Sequence, residues 1–203
     1  MIRSLKSCEI RRAARSSLAG RWNTCAGIVL LFALLSAACC RLHVISAHLC
    51  YGICAQCLPV LSAGCQWAFL KVRCRRIVRV GDLFSPFGSD RNYFRVLTAS
   101  VLFLAVVAGG AVMLLLPGII LASGYSMTFF LLRDREDLSV TEAMDESWTM
   151  MYGHKWACFR LWMSFLGWFL LAVVSVVGIL WFVPYFCTAM AEFYNRIQRC
   201  RLV

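Results

Sequence analysis

The residues best suited to metal or redox chemistry are cysteines. The 203-residue chain has twelve of them, and a dense group runs from Cys39 to Cys74. Cys54 and Cys57 form a CxxC motif and share a helical face with Cys50, a pattern that can bind a soft metal or exchange disulfides. However, there is no second CxxC to complete four ligands, and apolar neighbours disfavour the thiolate. We therefore predict small apolar packing residues, with no metal site and no cofactor.

Glu192 is the most suggestive ionisable residue. It lies among Met190, Phe193 and Tyr194, and an acid within a membrane must pair, neutralise or contact water, so it marks a default functional site. The alternative, which we favour, is an ion pair with Arg196 one helical turn later, at the cytoplasmic interface.

Four further polar residues are candidate binding residues. Ser126 and Thr188 would line a polar cavity in a transporter. Asp145 and His154 would have to meet Glu192 at one interfacial cleft in a lipid-modifying enzyme. No nucleophile, base and orienting group fall at a recognisable spacing, and no phosphate-binding glycine loop is present. We therefore predict a protein that is not an enzyme, and no catalytic residues.

The elements that carry these residues are long apolar stretches, at 24–40, 42–70, 96–132 and 161–191. Apolar residues make up 61% of the chain and charged residues 15%. A helix crosses a bilayer with about 20 apolar residues. The stretches lack the two-residue alternation of a membrane barrel. The sequence therefore predicts an all-α fold, a polytopic bundle of transmembrane helices.

The formal net charge of +11 is concentrated in four segments, namely 1–23, 71–95, 133–160 and 196–203. Arg41 is the only basic residue elsewhere. Basic residues accumulate on the cytoplasmic side of membrane proteins, so both termini should be cytoplasmic. Attraction to anionic lipid headgroups accounts for the remaining charge, and we predict no nucleic-acid partner.

Cytoplasmic segments on both sides of each apolar block require paired crossings. We predict six helices in one membrane domain, 1–203, arranged as hairpins over 24–70, 96–132 and 161–195. The turns fall near Arg41 to His48, at Pro117 and Gly118, and at Pro184. The second and third return arms, 119–132 and 185–195, would span only about 21 and 17 Å, so they either tilt in a thinned bilayer or re-enter it.

The return arms resemble one another. Met127, Phe130 and Arg133 are matched by Met, Phe and Arg residues 63 positions later. A threefold repeat is one explanation. A basic and aromatic belt at each membrane surface would produce the same resemblance without duplication.

Two polar segments predict cytoplasmic-surface amphipathic helices. Ser139 and Glu142 fit a capping box, from which a helix should run to about Tyr152. Its acidic face should pack against the chain's own basic loops or a partner. The basic, intermittently apolar segment 1–23 suits a helix on the membrane surface.

Several motifs give the chain a resemblance to a known family. They are Leu116-Pro117-Gly118-Ile119-Ile120, Tyr125-Ser126-Met127, Glu142-Ala143, Gly153-His154-Lys155-Trp156, Ser164-Phe165-Leu166-Gly167-Trp168, Pro184-Tyr185, Glu192-Phe193-Tyr194 and Leu18-Ala19-Gly20-Arg21-Trp22. On these motifs the chain resembles the small bacterial integral membrane proteins grouped as domain of unknown function 975. The resemblance implies a multi-pass protein of the bacterial inner membrane with cytoplasmic termini, and it implies no activity.

Three functions remain open. The leading hypothesis is a non-enzymatic protein that organises, senses or assists in the envelope, with membrane lipids and either a membrane-protein partner or a second copy as its partners. The alternative is a transporter or channel for a small solute or lipid, which needs a polar cavity near Pro117, Ser123, Ser126, Thr188 and Glu192. A lipid-modifying enzyme is the third.

Overall fold

The computed structural model describes residues 7–45, 49–74, 76–113, 115–175 and 178–201, without the side chains of 39–45, 49–56, 111–113, 115–117, 174, 200 and 201. Across these residues the chain is 88% helical and contains no strand. The predicted all-α class is therefore confirmed.

Helices follow one another with short connections. They are α1 Ser7–Leu18, α2 Trp22–Ile45, α3 Leu49–Arg73, α4 Asp90–Met113, α5 Leu115–Tyr125, α6 Thr128–Asp134, α7 Val140–Met151, α8 Lys155–Val174 and α9 Gly178–Arg201, with a 3₁₀ segment at Val80–Gly88. Three pairs of consecutive helices pack together, α2 with α3, α4 with α5 and α8 with α9.

Two predicted turns are wrong in position. Pro117 lies in the first turn of α5, where a proline is tolerated because that N–H has no helical partner. Pro184 lies inside α9, which begins at Gly178. The helix that contains the predicted arm 185–195 is consequently 24 residues long, about 36 Å at 1.5 Å per residue, and the predicted start of that arm at Tyr185 is wrong.

Two helices of the described part are long and apolar enough to cross a membrane, Asp90–Gly110 and Lys155–Val173. A third candidate exists if α1 and the first part of α2 form one span, although the chain bends by 96° between them. Gly20 lies at the bend, and its φ of +78° is readily adopted by glycine.

α1 buries its apolar face in the protein. Ile10, Ala14 and Leu18 are fully buried, and the helix contacts α3, α8 and α9. The expectation of a helix whose apolar face rests on the membrane is therefore wrong in this respect. The tertiary contacts of α1 are with other helices, while Arg12 and Arg15 remain exposed.

α7 begins with the predicted capping box. Ser139 Oγ accepts a hydrogen bond from the Glu142 N–H, and the Glu142 carboxylate accepts one from the Ser139 N–H. Hydrogen bonds to the carboxylate from the Ser139 backbone N–H and from the Ser139 side chain lower the pKa of Glu142. On the acidic face Glu146 pairs with Arg135 at 3.0 Å, as predicted for contact with the chain's own basic loops.

Candidate functional site

Glu192 lies on α9 and is only 3% exposed. One carboxylate oxygen accepts a hydrogen bond from Arg196 Nε at 2.8 Å, and the other faces Arg73 Nε at the end of α3. The predicted pair with Arg196 is confirmed. The pair with Arg73 was not predicted, because no local pattern connects residues so far apart in the chain.

Arg196 also reaches α1, where its Nη1 lies 3.3 Å from Glu9 Oε2. Arg73, Glu192, Arg196 and Glu9 thus form a line of alternating charge, here called the Glu192 cluster. It joins α3, α9 and α1. Two cations balance two anions, and both Glu192 oxygens face guanidinium groups. Such a carboxylate is held as a structural acceptor rather than as a free base.

Polar contacts also attach α6 to α3 and α9. The Trp67 indole N–H on α3 donates to the Phe129 carbonyl at 2.9 Å, and Arg133 lies over the Trp67 ring. On α9 the Tyr194 hydroxyl donates to the Asp134 carboxylate at 2.8 Å. With the Glu192 cluster, these contacts join the ends of α3, α6 and α9 pairwise.

Ser126 and Thr188 occupy different surroundings. Ser126 lies between α5 and α6, and its hydroxyl donates to the Ser123 carbonyl at 2.8 Å. Thr188 is fully buried one turn before Glu192. The Ser126 hydroxyl is satisfied by a neighbouring carbonyl and does not by itself indicate a ligand, whereas the Thr188 hydroxyl has no hydrogen-bond partner among the described residues.

Asp145 and His154 are not among the described polar partners of Glu192. Asp145 is exposed on α7, and the half-exposed His154 precedes α8, its N–H donating to the Met151 carbonyl. The described polar contacts of Glu192 are with Arg73 and Arg196. The structure therefore does not connect these three predicted residues.

The structure describes the side chains of only some members of the cysteine group. Cys57, Cys65 and Cys74 are free thiols, whereas the side chains of Cys39, Cys40, Cys50 and Cys54 lie outside the described residues. Within the described residues, no three His, Cys, Asp or Glu side chains are grouped to hold a metal.

A cavity of about 460 Å³ lies where α1 and the start of α2 approach α8 and α9. Its walls are mainly aromatic and aliphatic, with one cation. The lining includes Arg15, Trp22, Trp168, Leu171, Trp181 and Tyr185. None of the residues predicted for a polar cavity lines it, so the sequence did not identify this site.

Residues 103–201 match the family model described as protein of unknown function (DUF975). The match covers 99 of the 203 residues, and this segment is here called the DUF975 part. No curated protein and no solved structure is significantly similar to the chain.

The DUF975 part contains only half of the Glu192 cluster. Glu192 and Arg196 fall within the matched range, whereas Arg73 and Glu9 precede it. The cavity is divided in the same way. Arg15 and Trp22 precede the DUF975 part, whereas the cavity walls from α8 and α9 lie within the DUF975 part. Both features therefore depend on how the N-terminal half packs against the DUF975 part.

Proposed function

We propose that the chain is a multi-pass protein of the bacterial inner membrane with cytoplasmic termini. In this proposal it is a non-enzymatic organising, sensing or accessory component of the envelope. The observation that carries the proposal is the Glu192 cluster. The most suggestive acid of the sequence is held between two arginines where helices meet, which is a structural role.

Membrane placement is supported by the apolar side chains that remain uncovered. On α8 the exposed fractions are 51% for Trp168, 59% for Leu170 and 66% for Leu171. On α4 Leu104 is 68% exposed. Such surfaces are unfavourable in water and natural in hydrocarbon.

The experiment for membrane placement is cysteine labelling in intact cells, with the twelve native cysteines replaced. Ser175→Cys reports on the exposed residue after α8, and Ser139→Cys on the exposed cap of α7. An impermeant maleimide should label the first and spare the second. Pro184→Cys, buried inside α9, is the matched control for non-specific access. Equal labelling of Ser175→Cys and Ser139→Cys would contradict the topology.

An organising role also requires a stable assembly. Native electrophoresis of the mildly extracted full chain should give one discrete complex larger than the monomer, containing either a second copy or a membrane-protein partner. A purely monomeric species after cross-linking in membranes would contradict this role.

The aromatic cavity favours a second candidate, a carrier of lipid. Its lining is apolar apart from Arg15 and Ser175, which suits an amphiphile better than a hydrophilic solute. A lipid-transfer assay between vesicles, with and without the reconstituted chain, tests this candidate. Transfer at the rate of protein-free vesicles would contradict it.

A further inference from the structure

The cavity beside α1 has the chemistry of an amphiphile site. Its volume of about 460 Å³ lies within the roughly 300–1,000 Å³ typical of small-molecule sites. Its aromatic and aliphatic walls come from α2, α8 and α9. We propose that this cavity binds one anionic membrane phospholipid, with the phosphate at Arg15 and an acyl chain along Trp168, Leu171 and Trp181.

Arg15 is the cation that gives the cavity lining its positive charge. Its guanidinium lies 5.9 Å from the centre of the Tyr185 ring, and the side chain is exposed. Among the described residues no carboxylate lies within ion-pair distance of Arg15. A guanidinium without an acidic partner matches a phosphate, to which it can donate two parallel hydrogen bonds.

The helix that carries Arg15 is also held in place. The Tyr185 hydroxyl donates to the Arg11 carbonyl at 3.4 Å, and the Arg11 guanidinium donates to the Ser164 carbonyl on α8 at 3.2 Å. These contacts attach α1 to both walls of the cavity. The α1 backbone that carries Arg15 and the apolar walls therefore keep a constant relative position, which lowers the entropic cost of binding.

The occupant is lipid rather than free phosphate because of what surrounds the cation. Trp168 and Trp181 are about half exposed and Leu171 more so, so the cavity opens onto the uncovered apolar surface of α8 and α9. The cation lies at one part of the lining and the uncovered apolar surface at another. The phosphate and an acyl chain of one phospholipid match these two parts, whereas free phosphate would leave the apolar walls unused.

The experiment is a titration of the full chain in nanodiscs, with bound lipid counted by native mass spectrometry. Phosphatidylglycerol is compared with phosphatidylcholine of the same acyl chains. Arg15→Gln should weaken phosphatidylglycerol binding about tenfold, since hydrogen bonds to charged groups contribute on this scale. It should leave phosphatidylcholine binding unchanged. Arg12→Gln, which removes an exposed cation of the same helix outside the cavity, should change neither by more than about twofold. Trp181→Ala should weaken both lipids, because it removes an apolar wall.

Three results would overturn this inference. Arg15→Gln could bind phosphatidylglycerol as the wild type does, Arg12→Gln could lose as much affinity as Arg15→Gln, or millimolar inorganic phosphate could displace the lipid. The inference depends on the membrane placement proposed above, which carbonate extraction tests separately. Release of the chain by carbonate would overturn both proposals, whereas a retained chain whose Arg15→Gln variant binds normally would overturn the lipid site alone.

Discussion

Glu192→Gln is the most informative single substitution in this protein. It keeps the size of the side chain but removes the negative charge that faces Arg73 and Arg196. The glutamine oxygen can accept from one guanidinium, while its NH₂ group opposes the other. The substitution therefore removes the charged acceptor that both guanidinium groups share, in a site where the carboxylate was 3% exposed, although Arg196 keeps its contact with Glu9.

Breaking a buried ion pair from one side costs about 3–5 kcal/mol. The Arg73 and Arg196 side chains are 21% and 26% exposed, so water partly solvates the cations and the lower end of that range applies. We expect a loss of about 3 kcal/mol. For a chain of this length one kcal/mol corresponds to about 2–4 °C, which gives a fall in unfolding temperature of about 6–12 °C.

The assay is thermal unfolding of the detergent-extracted full chain, followed by size-exclusion chromatography of the heated samples. Asp145→Asn is the matched control, because it neutralises an exposed carboxylate and should shift stability by no more than about 0.5 kcal/mol. In a double-mutant cycle with Arg73→Gln, the coupling between Glu192 and Arg73 should exceed about 1 kcal/mol. A Glu192→Gln variant as stable as the control, or more stable than the wild type, would refute the structural role of Glu192 and indicate a functional acid.

Two further substitutions test the packing and charge around the 3₁₀ segment. Gly64→Ala should cost about 1–3 kcal/mol, because a Cβ there would collide with a backbone carbonyl of that segment. Gly109→Ala, with open space around its Cβ, should be neutral or stabilising, and equal thermal shifts in both would contradict the packing. Partial burial opposes ionisation of Asp82, but hydrogen bonds from Lys71 Nζ and the Arg79 N–H lower its pKa. Because the folded pKa is lowered, this stabilisation is present above the unfolded value of about 3.9 and is lost as pH falls through the folded pKa. The stability gap between wild type and Asp82→Asn, measured by thermal unfolding, should thus be constant from about pH 5 to 8 and close below about pH 4, and a constant gap at all pH values would contradict it.

Features with short-range causes could be predicted from the sequence. The capping box at Ser139 and Glu142 uses residues three positions apart, and the Glu192–Arg196 pair uses residues one turn apart. The all-α class follows from long apolar stretches without alternation. Both residue pairs are at most four positions apart, so a single helical turn determines each contact.

Features with long-range causes could not be predicted. Arg73 meets Glu192 only because α3 packs on α9, and the apolar face of α1 is covered by helices far away in the sequence. Pro117 and Pro184 suggested turns because proline disfavours helix interiors, yet the structure accommodates both inside helices. Pro117 costs no helical hydrogen bond because it lies in the first turn, whereas a proline inside a helix such as Pro184 is tolerated where neighbouring groups satisfy the freed carbonyl.

Polar contacts have a particular value in a bundle with an apolar exterior. In a bilayer, lipid chains are as apolar as leucine, so apolar burial alone gives little preference for one helix pairing over another. The ends of α3, α6 and α9 are joined instead by directional contacts, through Glu192, Trp67 and Tyr194. Each contact satisfies a buried polar group only when the correct two helices meet at the correct register. We infer that these contacts specify the arrangement of the helix ends, and that packing of the surrounding apolar side chains then supplies most of its stability.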